Sequence, residues 1–99
     1  MHCSIWTYVG DPDDLVARYE AMVEEIPSGN MRFHACARTA DGIVMFDTCP
    51  SKEVFDSFYS SSEAQALMER HGLGEPAERV DFPVVRAYAG GVRVDSAVG

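Results

Sequence analysis

The chain lacks a long hydrophobic run, is poor in basic residues and has only three cysteines. No apolar stretch approaches the ~20 residues of a helical membrane span. Eight Lys and Arg stand against 16 Asp and Glu, a formal net charge of −8. Phosphate backbones and anionic membrane surfaces are repelled at long range by such a chain, so neither a nucleic-acid nor a membrane partner is expected. Cys3, Cys36 and Cys49 are odd in number and contain no C-x-x-C pair, which excludes a disulfide framework and a zinc knuckle. Each reads as a reduced, small core residue. Ahead of the short apolar stretch at the N-terminus (Met1-His-Cys-Ser-Ile-Trp6) there is no Lys or Arg, unlike a signal peptide, and the expected location is cytoplasmic. Repeats and low-complexity tracts are absent as well.

What is present fits one domain. Ninety-nine residues, 46% hydrophobic and 24% charged, have the composition of an ordinary globular protein. So short a chain buries only about two-thirds of its unfolded surface and gains from dimerisation. The acids concentrate in segments with helical spacing, such as Asp13, Asp14, Glu20, Glu24 and Glu25. Between Met31 and Cys49 the only acids are Asp41 and Asp47. Helices therefore form the charged exterior and the strands a buried layer.

The element order follows from local signals. His2–Val9 is rich in β-branched and aromatic residues and reads as a first strand. Asp11-Pro12 starts a helix: Asp11 caps free amides, Pro12 suits the first position, and Asp13 and Asp14 favour the positive end. Leu15, Val16, Tyr19, Met22, Val23 and Ile26 form its apolar stripe, and Pro27-Ser-Gly-Asn30 stops it. Met31 to Thr39 alternates, and the turn at Ala40-Asp41-Gly42 leads to a third strand ending near Cys49. The register puts Arg32, His34, Cys36 and Arg38 on one face with Ile43, Met45, Asp47 and Cys49. Phe33, Ala35, Ala37, Val44, Phe46 and Thr48 share the other. The second set is smaller and more uniformly apolar, so it is assigned to the helix-packed core, and the mixed first set to function. Ser51 caps a second helix, Ser60-Ser-Ser breaks it, and Ser62 with Gln65 makes a capping box for a further piece closed by Gly72-Leu73. Arg79 to Tyr88 is the last strand, with Pro83 marking an edge or a bulge. The expected protomer is thus β-α-β-β-α-β over residues 1–90, an α+β ferredoxin-like antiparallel sheet. Residues 91–99 form a C-terminal tail or a short extra strand.

The passage Ile43-Val-Met-Phe-Asp-Thr-Cys-Pro-Ser-Lys-Glu-Val-Phe55, a strand running into a capped helix, resembles the strand–Trp–x–Ser–x–Glu–x–Phe passage of the dimeric α/β-barrel superfamily. That superfamily includes antibiotic-biosynthesis monooxygenases and haem-degrading oxygenases. Ala35-Cys-Ala-Arg-Thr-Ala-Asp-Gly42 is similar to the preceding hairpin of its small uncharacterised members. The resemblance spans about residues 2 to 89. It implies strand order β4-β1-β3-β2, helices on one sheet face, and two sheets packed face to face into a closed barrel. Cys49-Pro50 stands where family oxygenases often carry Trp, and no Asn–Trp–His set matches the haem-degrading relatives. No cofactor is expected.

On the mixed face, His34 beside Asp47 suits a carboxylate-oriented general base, since a partly buried imidazole titrates near neutral pH. These two are the catalytic candidates. Arg38 and Arg86, with Arg32, are candidates to hold an anionic substrate. Trp6, Tyr8, Cys49, Tyr59 and Phe82 complete the set expected to line a pocket for a small hydrophobic ligand. His34, Cys36, Asp47 and Cys49 also have metal-ligand chemistry, but packing and a satisfied His–Asp pair account for them, and no metal is assigned. The expected function is a homodimeric enzyme acting without a bound cofactor on an aromatic or polyketide-like metabolite, monooxygenase-like or proton-transferring as in an isomerase or cyclase. The alternative is a non-catalytic dimeric ligand-binding or accessory module.

Overall fold

Burial alternates from His2 to Tyr8 along the first strand, β1 (His2–Val9), of the computed structural model, which describes residues 1–27 and 33–95. This is the period of a strand with one covered face. Helix α1 (Pro12–Val23) starts as its sequence dictates: the Asp11 carboxylate accepts from the Asp14 amide, and Pro12 occupies the first position. Leu15, Tyr19 and Met22 of its stripe are buried. Strands β2 (His34–Thr39) and β3 (Gly42–Cys49) form a hairpin with Thr39 opposite Gly42, so Ala40 and Asp41 are the loop. The expected start of β2 at Met31-Arg32 and the helix stop at residues 28–30 lie outside the described residues. Gly42 is fixed by close approach, because a Cβ there would lie 2.0 Å from the Tyr8 carbonyl oxygen.

Ser51 caps α2 (Lys52–Tyr59) by accepting from the Val54 amide. Helix α3 (Ser62–Arg70) is capped by Ser61 rather than by Ser62 as expected, because extended backbone at Ser61 brings its hydroxyl to the Ala64 amide. Its C-terminus closes with left-handed Gly72: the Gly72 amide donates to the Glu69 carbonyl and the Leu73 amide to that of Met68, with the Leu73 side chain fully buried. Strand β4 (Glu78–Pro83) is shorter than the expected Arg79–Tyr88. Pairing to β1 ends with Pro83 opposite His2, and the Val84 amide makes the last contact by donating to the Met1 carbonyl at 2.9 Å; Pro83 is tolerated because its nitrogen faces the open edge. Beyond it, β5 (Tyr88–Ala89) and β6 (Val92–Arg93) make a separate two-stranded ribbon around Gly90-Gly91, both in the left-handed region.

The main sheet is antiparallel with order β2-β3-β1-β4. With the described helices it makes an α+β domain compatible with a ferredoxin-like fold. The hairpin parity is as expected, with His34 opposite Asp47, Cys36 opposite Met45 and Arg38 opposite Ile43. The assignment of faces is reversed. Ile43, Met45 and Asp47 are 0%, 4% and 6% exposed and lie under the helices with Trp6 and Tyr8, whereas Phe33, Val80 and Phe82 are 40%, 36% and 48% exposed. Size explains the reversal. The helices stand off the sheet far enough to need long side chains between, and Trp, Tyr and Met fill that gap where Ala and Val would leave it empty.

Candidate functional site

A cavity of about 130 Å³ lies between the sheet and the helices, partly open to solvent. Helix α1 contributes Tyr19, Met22 and Val23; the hairpin contributes His34, Met45, Asp47 and Cys49; α2 and α3 contribute Val54, Phe58, Tyr59, Ala64, Leu67 and Met68. These walls are apolar except at one end. There the sheet register places His34 directly across from Asp47, with Tyr19 and Tyr59 reaching in from the helices.

Those four side chains form one hydrogen-bonded chain. Tyr19 Oη is 2.6 Å from His34 Nε2, and His34 Nδ1 is 3.2 Å from Asp47 Oδ1. Tyr59 donates its hydroxyl to Asp47 Oδ2. An ionised carboxylate only accepts, so His34 carries its proton on Nδ1 and, when neutral, leaves Nε2 to accept from Tyr19. Asp47 then receives two donors, which is how a buried carboxylate is sustained. Burial pushes the Tyr19 phenol up to about 12, helped by the nearby acidic groups. Tyr59 is raised further, by burial first and then by the Asp47 charge. The Cys49 thiol is pushed up to about 11, again chiefly by burial, and so holds its proton at neutral pH. Among the described residues no group of three His, Cys, Asp or Glu side chains is arranged to hold a metal ion.

Of the residues singled out in the sequence, the structure brings His34, Asp47, Cys49 and Tyr59 to this cavity. Trp6 is on the same sheet face but belongs to a second network. Its Nε1 donates to Ser4 Oγ at 2.6 Å, Ser4 donates to Asp81 at 2.5 Å, and the Arg79 guanidinium sits 5.0 Å over the indole. With Tyr59 and Arg79, Trp6 lines a separate, more polar cleft near Glu75 and Glu78. Tyr8 ties down the end of α3, donating to the carbonyls of Leu73 and Gly74 at 3.2 Å. Arg38 is exposed and pairs with Asp13 of α1. Phe82 lies on the opposite face of the sheet, and Arg86 in the loop beyond β4. Arg32 is outside the described residues.

Sequence reasoning missed Tyr19 as a site residue, because its place in the apolar stripe of α1 reads as packing. The available signal was its hydroxyl on an otherwise aliphatic stripe, since a buried tyrosine O–H requires a partner. Compared with known proteins, the chain matches no family model, and no curated protein and no solved structure is significantly similar to it.

Proposed function

We propose that this protein is a homodimer of ferredoxin-like protomers, in the manner of the dimeric α/β barrels, that binds a single-ring organic ligand in the helix–sheet cavity and transfers a proton from it without a bound cofactor. The observation that carries this reading is the His34–Asp47 pair at the one polar end of an otherwise apolar cavity. Volume bounds the ligand, since an apolar cavity of about 150 Å³ holds benzene. One ring fits inside, and any larger part of the ligand must project through the mouth. The imidazole accepts the proton, and Asp47 stabilises the resulting imidazolium and fixes its orientation.

The dimer reading rests on the face away from the helices. Cys3, Ile5, Thr7, Ala35, Ala37, Val44, Phe46, Val80 and Phe82 share it by register, and Glu78 at its rim is the one charged residue among the described strand positions there. In a chain of net charge −8, a face charged only at its rim is the surface on which two copies meet with the least opposition of like charges. A two-fold axis makes such a patch its own complement.

Exchange of the α-hydrogens of cyclohexanone in deuterated water, followed by NMR, tests the function. The wild-type protein should accelerate exchange by at least about a hundredfold over buffer, and His34→Ala should abolish the acceleration. Binding of cyclohexanone or phenol without acceleration would leave a ligand-binding module. No binding of either ring would overturn the reading altogether.

A further inference from the structure

We infer that Tyr19, not His34, is the group that touches the ligand, and that the ligand is a neutral ring compound with an ionisable hydroxyl, a phenol or an enol; this rests on the cavity being the ligand site. Both ring nitrogens of His34 are already engaged, Nδ1 by Asp47 and Nε2 by Tyr19. A ligand in the cavity therefore meets the imidazole only through the tyrosine hydroxyl. Tyr19 Oη, donating to Nε2, keeps lone pairs free to accept one hydrogen bond from the cavity side.

The transfer balances along this chain. As the ligand O–H bond breaks, its proton forms a new O–H bond on Tyr19. The original Tyr19 proton passes to His34 Nε2, and the product is a ligand oxyanion hydrogen-bonded to a neutral tyrosine. The positive charge stays on His34, paired with Asp47. Tyr19 never has to exist as a free phenolate, which its burial opposes. The charge pattern selects the ligand. Among the described residues no lysine or arginine lines the cavity, and its one carboxylate is already present. A ligand arriving as an anion would face Asp47 uncompensated, whereas a neutral acid becomes an anion only when the imidazolium forms beside it. The other titratable groups nearby are the Cys36 and Cys49 thiols, both raised by burial and hence neutral, and Glu20 on the outer side of α1. Tyr59 acts from the far end, holding Asp47 in place as a positioning residue.

The test uses 4-nitrophenol, whose visible absorption reports its ionisation, titrated with the full-length protein. Bound to wild type, the probe should ionise about tenfold more readily than in water, the worth of one charge-assisted hydrogen bond. Tyr19→Phe, which keeps the ring and its packing, should bind the probe within about threefold of wild type yet lose that shift. His34→Gln should lose it too, with Tyr19 intact, which separates proton storage from ligand contact. Thermal unfolding of each variant confirms that it is folded. A Tyr19→Phe protein with the wild-type shift, alongside a His34→Gln protein without it, would show direct contact by His34 and overturn this inference while leaving the proposed function standing. Failure of wild type to bind the probe at all would remove both.

Discussion

The two faces of the sheet are built from alternate residues of the same strands, yet they differ in almost every respect. Under the helices lie Trp6, Tyr8, Met45 and the Asp47–His34 pair, large or polar, with Trp6, Tyr8, His34 and Asp47 each hydrogen-bonded. On the other side lie Ile5, Val44, Phe46, Val80 and Phe82, smaller on average and left to half-exposure. Polarity therefore does not mark the outer face of this protein. A buried carboxylate costs little once two donors reach it, and the helices supply one of them in Tyr59. An apolar strand face without a cover marks instead the place where a further element, here proposed to be a second copy, completes the fold.

Adjacent residues test this contrast most sharply. Met45 and Phe46 follow one another in β3 and point to opposite faces. Met45→Glu buries an unpaired carboxylate beside Asp47 and should cost about 4 kcal/mol, lowering the melting temperature by more than about 15 °C or preventing folding. Phe46→Glu should leave the protomer folded, by circular dichroism, but convert the proposed dimer to a monomer in sedimentation velocity. A Met45→Glu protein that melts within a few degrees of wild type would refute the covered face as the core. A Phe46→Glu protein that still sediments as a dimer would place the interface elsewhere.

The faces should also part company at high pH. Tyr8, Tyr19 and Tyr59, all on the helix side, have phenols raised by burial above the usual value of 10, Tyr19 to about 12. The folded state therefore holds protons that the unfolded chain releases above pH 10. Their contribution to stability is complete below that value and is lost as pH rises from 10 towards and past 12. Urea unfolding at stepped pH should show a midpoint that is flat with respect to these groups below pH 10 and falls beyond it. Tyr19→Phe should make the fall shallower. An unchanged slope in that variant would mean that Tyr19 is not held neutral by the fold.

Much of this was legible in the sequence, and the boundary is physical. Asp11-Pro12, Ser51 and Gly72-Leu73 announce helix ends because caps are local chemistry, settled within four or five residues. That His34 and Asp47 share a face was legible because either placing of the turn, at Ala40-Asp41 or at Asp41-Gly42, keeps the same parity; that they stand directly opposite follows from the loop being Ala40-Asp41. Which face the helices cover was not, since both faces carry enough apolar residues to be buried and the choice depends on the space beneath the helices. The partner of the Tyr19 hydroxyl was out of reach for a related reason. The helical position of Tyr19 could be read, but its hydroxyl gains a role only when α1 packs on β2 and brings it to His34.

The smallest expected effect concerns the cover itself. Helix α3 carries Ala64, Leu67 and Met68 to the cavity wall, and its start depends on which of two neighbouring serines caps it. Ser61 Oγ accepts from the Ala64 amide at 3.2 Å and donates to the Phe58 carbonyl at 2.6 Å, so it joins the end of α2 to the start of α3. Ser62 is the first helical residue and exposed. Ser61→Ala should therefore cost about 1 kcal/mol and lower the melting temperature by about 4–8 °C. Ser62→Ala should change stability by no more than about 0.5 kcal/mol. The reverse ranking would move the helix start by one residue and turn Ala64 and Met68 away from the cavity they help to close. Because the open face has no such cap beneath it, Ser61→Ala should also leave sedimentation unchanged, separating the cover of one face from the proposed seal of the other.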